Sequence, residues 1–253
     1  MNYKTNQERT AEYLSKFDRQ KVLRHILGEI ETPTIFDVGA NNGSSIEEFI
    51  NLWPNAIIHA FEPQVECADS LFKIASNLSS SADKIYINSC AVGATTEDRP
   101  FFTHEISSGL AGFNKINLSS LDSIYLNAEL KKDLDRIQEY ERVINHGRLV
   151  KTVSLNDYCQ DRNIQSIDLL KIDTQGHEPE VLSGLGARLS AVKVVVTELM
   201  FYDYYERSLS FSDLEKYLIP SGFTLYDISH IAKNPMNGRT DWVDVIYVNK
   251  GAL

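Results

Sequence analysis

The sequence predicts an α/β protein built on a doubly wound, mostly parallel sheet. Three observations carry that prediction. Short β-rich runs alternate with amphipathic helical stretches from Thr34 onward. The first run closes on a polar, glycine-bearing turn, Gly39-Ala40-Asn41-Asn42-Gly43. Two strand–helix–strand units then follow one another within about 60 residues, the alternation that a parallel sheet with helices on its faces requires.

Leu14, Phe17, Val22 and Ile26 recur at spacings of three to five among many charges, so Gln7 to Glu31 reads as helical and residues 1–32 as an N-terminal extension. Thr34 to Val38 is a strand. Ser44 or Ser45 caps a helix through Leu52, with Glu47 and Glu48 favourable in its first turn, and Pro54-Asn55 ends it. Ala56 to Phe61 is a second strand, Gln64 to Asn77 a second helix and Lys84 to Val92 a third strand. Pro100 to Thr103 is a further short strand, and His104 to Asn117, rich in Gly, Ser and Asn, is a loop. Ser119 to Ile144 carries Leu126, Leu130, Leu134 and Ile137 at helical spacing, so residues 104–146 form a loop-and-helix insertion, a substrate lid or a solvated surface element. Alternation then resumes with strand Arg148 to Ser154, helix Leu155 to Asp161, strand Ile167 to Asp173, helix Glu178 to Leu189 and strand Val192 to Glu198. Helix Ser212 to Pro220 and strands Phe223 to Ile228 and Trp242 to Asn249 complete the chain. No linker divides it, so a single domain over residues 1–253 is expected.

Composition narrows the function classes. The chain has 253 residues, 43% hydrophobic, enough for a sizeable core without staples. Its 25 Lys+Arg against 35 Asp+Glu leave a net charge of −10, which disfavours a nucleic-acid tracker or an anionic-membrane binder. Cys67, Cys90 and Cys159 cannot all pair and show no Cys-x-x-Cys spacing, as in a reducing, cytoplasmic setting. No apolar run exceeds four residues and Met1 to Arg9 is polar, so neither a transmembrane helix nor a signal peptide is expected.

The first turn is a GxxxG and departs from the GxGxxG of dinucleotide sites, since Asn41 stands where backbone should approach a pyrophosphate. Asp37 ends the first strand, where a carboxylate would repel a pyrophosphate but could receive an ammonium group. Glu62 ends the second strand, 23 residues after Gly39, where an acid can accept both hydroxyls of a ribose. An acid for an amine, glycines for close approach and an acid for a ribose together describe S-adenosylmethionine. An ordinary turn with two solvated acids is the plainer alternative.

Phe36-Asp37-Val38-Gly39-Ala40-Asn41-Asn42-Gly43 with Phe61-Glu62-Pro63 resembles the opening of the FkbM family of S-adenosylmethionine-dependent methyltransferases. Lys171-Ile172-Asp173-Thr174-Gln175-Gly176-His177-Glu178, followed by Val181-Leu182-Ser183-Gly184, resembles that family's second signature. Asn88 to Gly93, Ser154 to Tyr158 and Val194 to Glu198 match in order and spacing, and the likeness runs from about residue 33 to 250, weakest over 104–146. It implies a class I methyltransferase (Rossmann-like) fold, a seven-stranded sheet whose last strand is antiparallel, and methyl transfer, usually to oxygen and often in polysaccharide, glycolipid or natural-product pathways. It further implies that Asp37, Gly39, Asn41 and Gly43 line the methionine end of the cofactor, that Glu62 with Pro63 holds the ribose, and that Cys90, Ala91 and Val92 lie near the adenine. Cys90 as a small buried hydrophobe is the alternative. Asn156 and His177 depart from the family's usual residues.

A sulfonium is already a good methyl donor, so the protein must align the acceptor oxygen, exclude water and take up a proton. Asp173, ending its strand on the same rim, is suited to that task, although it or Thr174 could simply cap the following helix. His177 has the chemistry of a neutral base near pH 7, and Glu198 ends the next strand on the same rim. Glu178 is expected to anchor the loop. Asp173 and Glu198 with waters would suit Mg²⁺, but no metal site is expected. Phe201, Tyr202, Tyr204 and Tyr205 would stack on a sugar face, pack the core or form a homodimer interface. The leading expectation is O-methylation of a sugar hydroxyl in a nucleotide-linked sugar, polysaccharide or glycolipid precursor. The alternatives are an N-methyltransferase acting on a small molecule or amino sugar, a non-catalytic cofactor-binding module and, disfavoured by Asn41 and Asp37, a nicotinamide oxidoreductase.

Overall fold

A computed structural model describes residues 4–77, 84–105, 107–120, 140, 142–235 and 237–251. The expected N-terminal helix is two helices, α1 (Asn6–Lys16) and α2 (Arg19–Leu27). Asp18 divides them, because its side chain takes the Lys21 N–H at 2.8 Å and starts a new helix. Then come β1 (Thr34–Val38), α3 (Ser44–Leu52), β2 (Ile57–Phe61), α4 (Val65–Asn77) and β3 (Ile85–Asn88). Short strands β4 (Ala91–Val92) and β5 (Asp98–Thr103) precede β6 (His146–Val153). The remainder is α5 (Leu155–Asp161), β7 (Ile167–Ile172), α6 (Glu178–Leu185), β8 (Val192–Met200), α7 (Phe211–Leu218), β9 (Phe223–Lys233) and β10 (Thr240–Asn249).

Seven strands form one sheet in the order β3-β2-β1-β7-β8-β10-β9. The pairs from β3 to β8 are parallel, and β10 is antiparallel to both of its neighbours. This is the expected doubly wound sheet with an antiparallel last strand. Alternation along each strand supplies both faces. Ile35, Leu169 and Val194 pack with α2, α3 and α4, whereas Phe36, Leu170 and Val195 pack with α5, α6 and α7. Both sides of the inner strands are thereby buried.

A second, three-stranded sheet, β4-β6-β5, was not expected. The run Lys84 to Val92 is therefore not one strand. The Asn88 side-chain amide donates to Ala60 O at 3.0 Å and Cys90 N donates to Asn88 O at 2.9 Å, so the chain turns off the main sheet. Ala91 and Val92 then pair with Thr152 and Val153. The helix expected to reach Leu189 stops at Leu185, where Gly186 takes φ +54° and a 3₁₀ turn follows. The last two strands run longer than expected and pair along nearly their whole length. Most of the helix expected over Ser119 to Ile144 falls on residues 121–139 and 141, outside the described residues. Among the described residues no helix is long and apolar enough to cross a membrane.

Candidate functional site

A cavity of about 540 Å³, counted out to its open mouth, lies at the carboxyl ends of β1, β2 and β7. In open α/β sheets this is where ligands bind, because strand ends stop short and the following turns diverge. Gly39 makes the approach. Its φ is +82°, and a Cβ there would stand 1.9 Å from Asp173 O. No other residue fits that turn.

Glu62 forms the polar wall. It is 3% exposed, and its two oxygens accept the N–H groups of Asn41 at 2.9 Å and Gln64 at 2.8 Å. A carboxylate has about four acceptor positions, so each oxygen keeps one for a further donor. Burial raises its pKa, the two backbone donors lower it and Asp37 raises it, with a net rise. Ala91, Val92, Phe101, Ala111 and Phe113 supply the cavity's apolar lining. A carboxylate with open acceptor positions beside an apolar lining is chemically suited to a nucleoside.

Part of the roof is a strap around the 3₁₀ turn Ser108–Leu110. Ser108 Oγ donates to Asn41 Oδ1 at 2.7 Å, and Gln64 Nε2 donates to Ser108 O at 3.0 Å. The Tyr205 hydroxyl lies 3.1 Å from Leu110 O and 2.8 Å from Gln175 Oε1. The expected loop over 104–117 is thus tied down at several points. Its partner Tyr205, with Tyr204, is buried against Ile116 and Ile144.

Of the residues singled out in the sequence, Gly39, Asn41, Glu62, Pro63, Ala91, Val92 and Asp173 line this cavity. Asp37 does not. It is fully buried, accepts from Ser45 Oγ at 2.7 Å and pairs with Lys171 Nζ at 3.2 Å. Gly43 sits at the start of α3 against Leu71 and Ile74, with φ +85°. Cys90 packs half-buried on the core, and burial pushes its thiol pKa to about 11. His177 is 2% exposed, its ring 4.2 Å from that of Phe113, and burial drives its pKa down to about 4. Glu198 faces a separate small cavity with Glu178, Tyr205 and Arg207. Burial first, then Asp173 and Asp244, raises its pKa well above the carboxylate range.

The loop after β7 is held by Glu178, whose Oε1 accepts from Thr174 N at 2.9 Å, Thr174 Oγ1 at 3.0 Å and Gly176 N at 3.2 Å. This fixes Asp173, whose Oδ1 accepts from Gln175 Nε2 at 2.9 Å. Sequence reasoning missed Lys171, Gln64 and the Ser108 strap. A lone lysine in the otherwise buried run Ile167–Ile172 was the available signal for the first. The strap contacts are long-range and left none. Among the described residues, no group of three or more His, Cys, Asp or Glu is placed to hold a metal ion, so the Mg²⁺ alternative gains no support.

A family model described as "Methyltransferase FkbM domain" matches residues 37–225. The 2-O-methyltransferase NoeI of Sinorhizobium fredii is 28% identical over 193 residues, 75% of this chain and 73% of its own. A solved FkbM methyltransferase from Methylobacillus flagellatus KT superposes with a TM-score of 0.54 at 15% identity, over 94% of this chain. This chain spans 50% of that protein's length, and the likeness is one of fold. Magnesium protoporphyrin IX methyltransferase from Synechocystis PCC 6803, solved with bound S-adenosylmethionine, is 10% identical, with a TM-score of 0.47 over 99% of this chain and 87% of its own. With the family signature spanning both the cofactor turn and the loop after β7, the chain belongs to the FkbM family of S-adenosylmethionine-dependent methyltransferases.

Proposed function

We propose that the protein methylates a hydroxyl group of a carbohydrate or other small polyol acceptor. One observation carries the reading. A single cavity holds a diol-accepting carboxylate, Glu62, on one wall and a partly exposed carboxylate, Asp173, beside the cofactor turn. Among relatives, NoeI is a 2-O-methyltransferase, which favours oxygen as the acceptor atom.

The residues present fit the cofactor. Glu62 has open acceptor positions for the ribose hydroxyls, the apolar lining suits a purine, and the Gly39 turn leaves room for the methionine end. When bound, S-adenosylmethionine supplies an activated methyl group and retains the methyl–sulfur bonding pair as neutral S-adenosylhomocysteine. Glu62 and the Gly39 turn orient the donor end of the cavity. The strap from Ser108 to Ala111 covers it and excludes water, which removes the competing nucleophile. Asp173 accepts the acceptor hydroxyl's proton at a carboxylate oxygen while that hydroxyl's oxygen forms the new bond to carbon. His177 takes no part, since it is buried and held neutral under Phe113.

The test has two stages. Calorimetric titration with S-adenosylhomocysteine, with NADH as control, should show micromolar binding of the former alone. Transfer of labelled methyl to a panel of UDP-glucose, UDP-galactose, GDP-mannose and dTDP-rhamnose should then fail in Asp173→Asn while cofactor binding persists. Undiminished transfer in Asp173→Asn would sink the assignment of Asp173. UDP-glucosamine, added to the panel, tests the acceptor atom: transfer to it alone would replace oxygen by nitrogen.

A further inference from the structure

Lys171 stands where three separately built parts of the site meet. It is the register partner of Asp37 across the parallel pair β1–β7. Alternation along β7 sends Leu170 and Ile172 to one face of the sheet and Lys171 to the other. Its Nζ lies 3.2 Å from Asp37 Oδ1 and 3.6 Å from Asp173 Oδ2, and donates to Gly39 O at 3.3 Å. The lysine side chain is 14% exposed, against 0% for Asp37 and 39% for Asp173. Gln175 holds the other Asp173 oxygen, so both ends of that carboxylate are tied.

We propose that Lys171 is a positioning residue for the methyl transfer: its ammonium ties Asp173 to the cofactor turn and aims that carboxylate at the acceptor hydroxyl. The inference rests on the reading of Asp173 as the proton acceptor. Two things set Lys171 apart from an ordinary structural ion pair. Asp37 already has Ser45, and its full burial keeps it from any ligand, so the Lys171–Asp37 pair serves as a fixed base rather than a contact surface. Asp173 is the partner that reaches the cavity, and among the described residues Lys171 is the cation within ion-pair distance of it. The remaining charges around the cluster are Arg19 from α2, Glu62 at the end of β2, Glu178 from α6, Glu198 from β8 and Asp244 from β10. Most of these are acids. Without Lys171 the Asp173 carboxylate would be held by Gln175 alone, with no cation to offset the acids around it. Burial works against the ammonium, but Asp37 and then Asp173 outweigh it and hold the lysine pKa above its ordinary value.

The test uses the full chain with labelled lysine nitrogen. In the wild type the Lys171 ammonium should give a slowly exchanging Nζ–H signal, assigned by its loss in Lys171→Arg. Asp173→Asn should move that signal, and an unmoved signal would overturn the tie. Lys171→Met alone would orphan the buried Asp37, so turnover is measured in the double variant Asp37→Asn/Lys171→Met beside Asp37→Asn. With the sugar-nucleotide panel as acceptor, the double variant should lose about 30-fold or more in kcat. Its affinity for S-adenosylhomocysteine should stay within about threefold, so that the loss falls on kcat and not on cofactor binding. Lys171→Arg should recover most of the rate. An unchanged rate, or a rate loss matched by an equal loss of S-adenosylhomocysteine affinity, would reduce Lys171 to a structural role. Full turnover in Asp173→Asn, with the ammonium signal still shifted, would instead overturn the reading of Asp173 and leave the tie standing.

Discussion

Replacing Glu62 by glutamine tests the cofactor wall with little change of shape. One oxygen becomes an amide NH₂, which faces a backbone N–H that it can no longer accept. Glu62 is 3% exposed and holds Asn41 N and Gln64 N at 2.9 and 2.8 Å, so one buried donor is left unsatisfied. That costs about 1–3 kcal/mol. Burial raises the Glu62 pKa, so relief of the buried charge offsets part of the cost and the lower half of that range is expected. For a chain of this size the melting temperature should fall by roughly 2–6 °C. Ligand binding should suffer separately. One charge-assisted acceptor for the ribose is lost, about 1.5–3 kcal/mol, or roughly 10- to 150-fold in Kd. Calorimetry with S-adenosylhomocysteine, adenosine and 2′-deoxyadenosine isolates the contact. The wild type should prefer adenosine, and Glu62→Gln should bind the two nucleosides nearly alike. A lower melting temperature with wild-type preference for adenosine would mean that Glu62 only staples the loop, and the ribose assignment would be refuted.

His59 is 5% exposed, its Nδ1 lies 2.9 Å from the Tyr158 hydroxyl, and burial, with Arg162, lowers its pKa from 6.5 to about 4. The unfolded chain therefore binds the extra proton first, so its contribution is present above pH 6.5 and is lost as pH falls through 4. At most about 3 kcal/mol is involved; urea unfolding of His59→Phe between pH 7 and 4 should show a shallower decline than the wild type, and an equal decline would count against it. Gly39→Ala places a Cβ 1.9 Å from Asp173 O at a φ of +82°. It should cost about 3 kcal/mol or more and abolish S-adenosylhomocysteine binding, checked by thermal melting and calorimetry. Ser108→Ala removes the strap's 2.7 Å bond to Asn41 and should speed release of S-adenosylhomocysteine about fivefold in stopped-flow displacement. Leu182→Ala, at a position 1% exposed on α6, should cost about 2–5 kcal/mol while the folded fraction keeps its affinity.

The α/β class, most of the strand–helix succession along the chain and the turn at Gly39 were legible because they depend on near neighbours. Alternation of period two marks a strand buried on both faces, and a glycine with positive φ between a strand and a helix marks a close approach. The placement of Glu62 on the cavity wall could be read the same way, since an acid ending a parallel strand reaches the ligand edge of the sheet. The Asn88 turn, which sends Ala91 and Val92 into a second sheet, was not legible. Its cause is a side-chain bond from Asn88 to Ala60, in a strand some 28 residues earlier.

The largest differences concern charges. Asp37 and Asp173 look equivalent in the sequence, each ending a strand before a polar turn. The fold makes them opposites. Ser45 and Lys171 close Asp37 off completely, while Asp173 keeps a side chain 39% exposed at the cavity. His177 looks like a base poised for pH 7 and is instead buried beneath Phe113, a residue 64 positions away in the chain. Sequence alone determined which chemical groups stand at strand ends, because period and turn geometry are local. The tertiary structure decided which of them meet solvent, ligand or an opposite charge, because burial and Coulomb interactions act through space between residues that the chain order keeps apart.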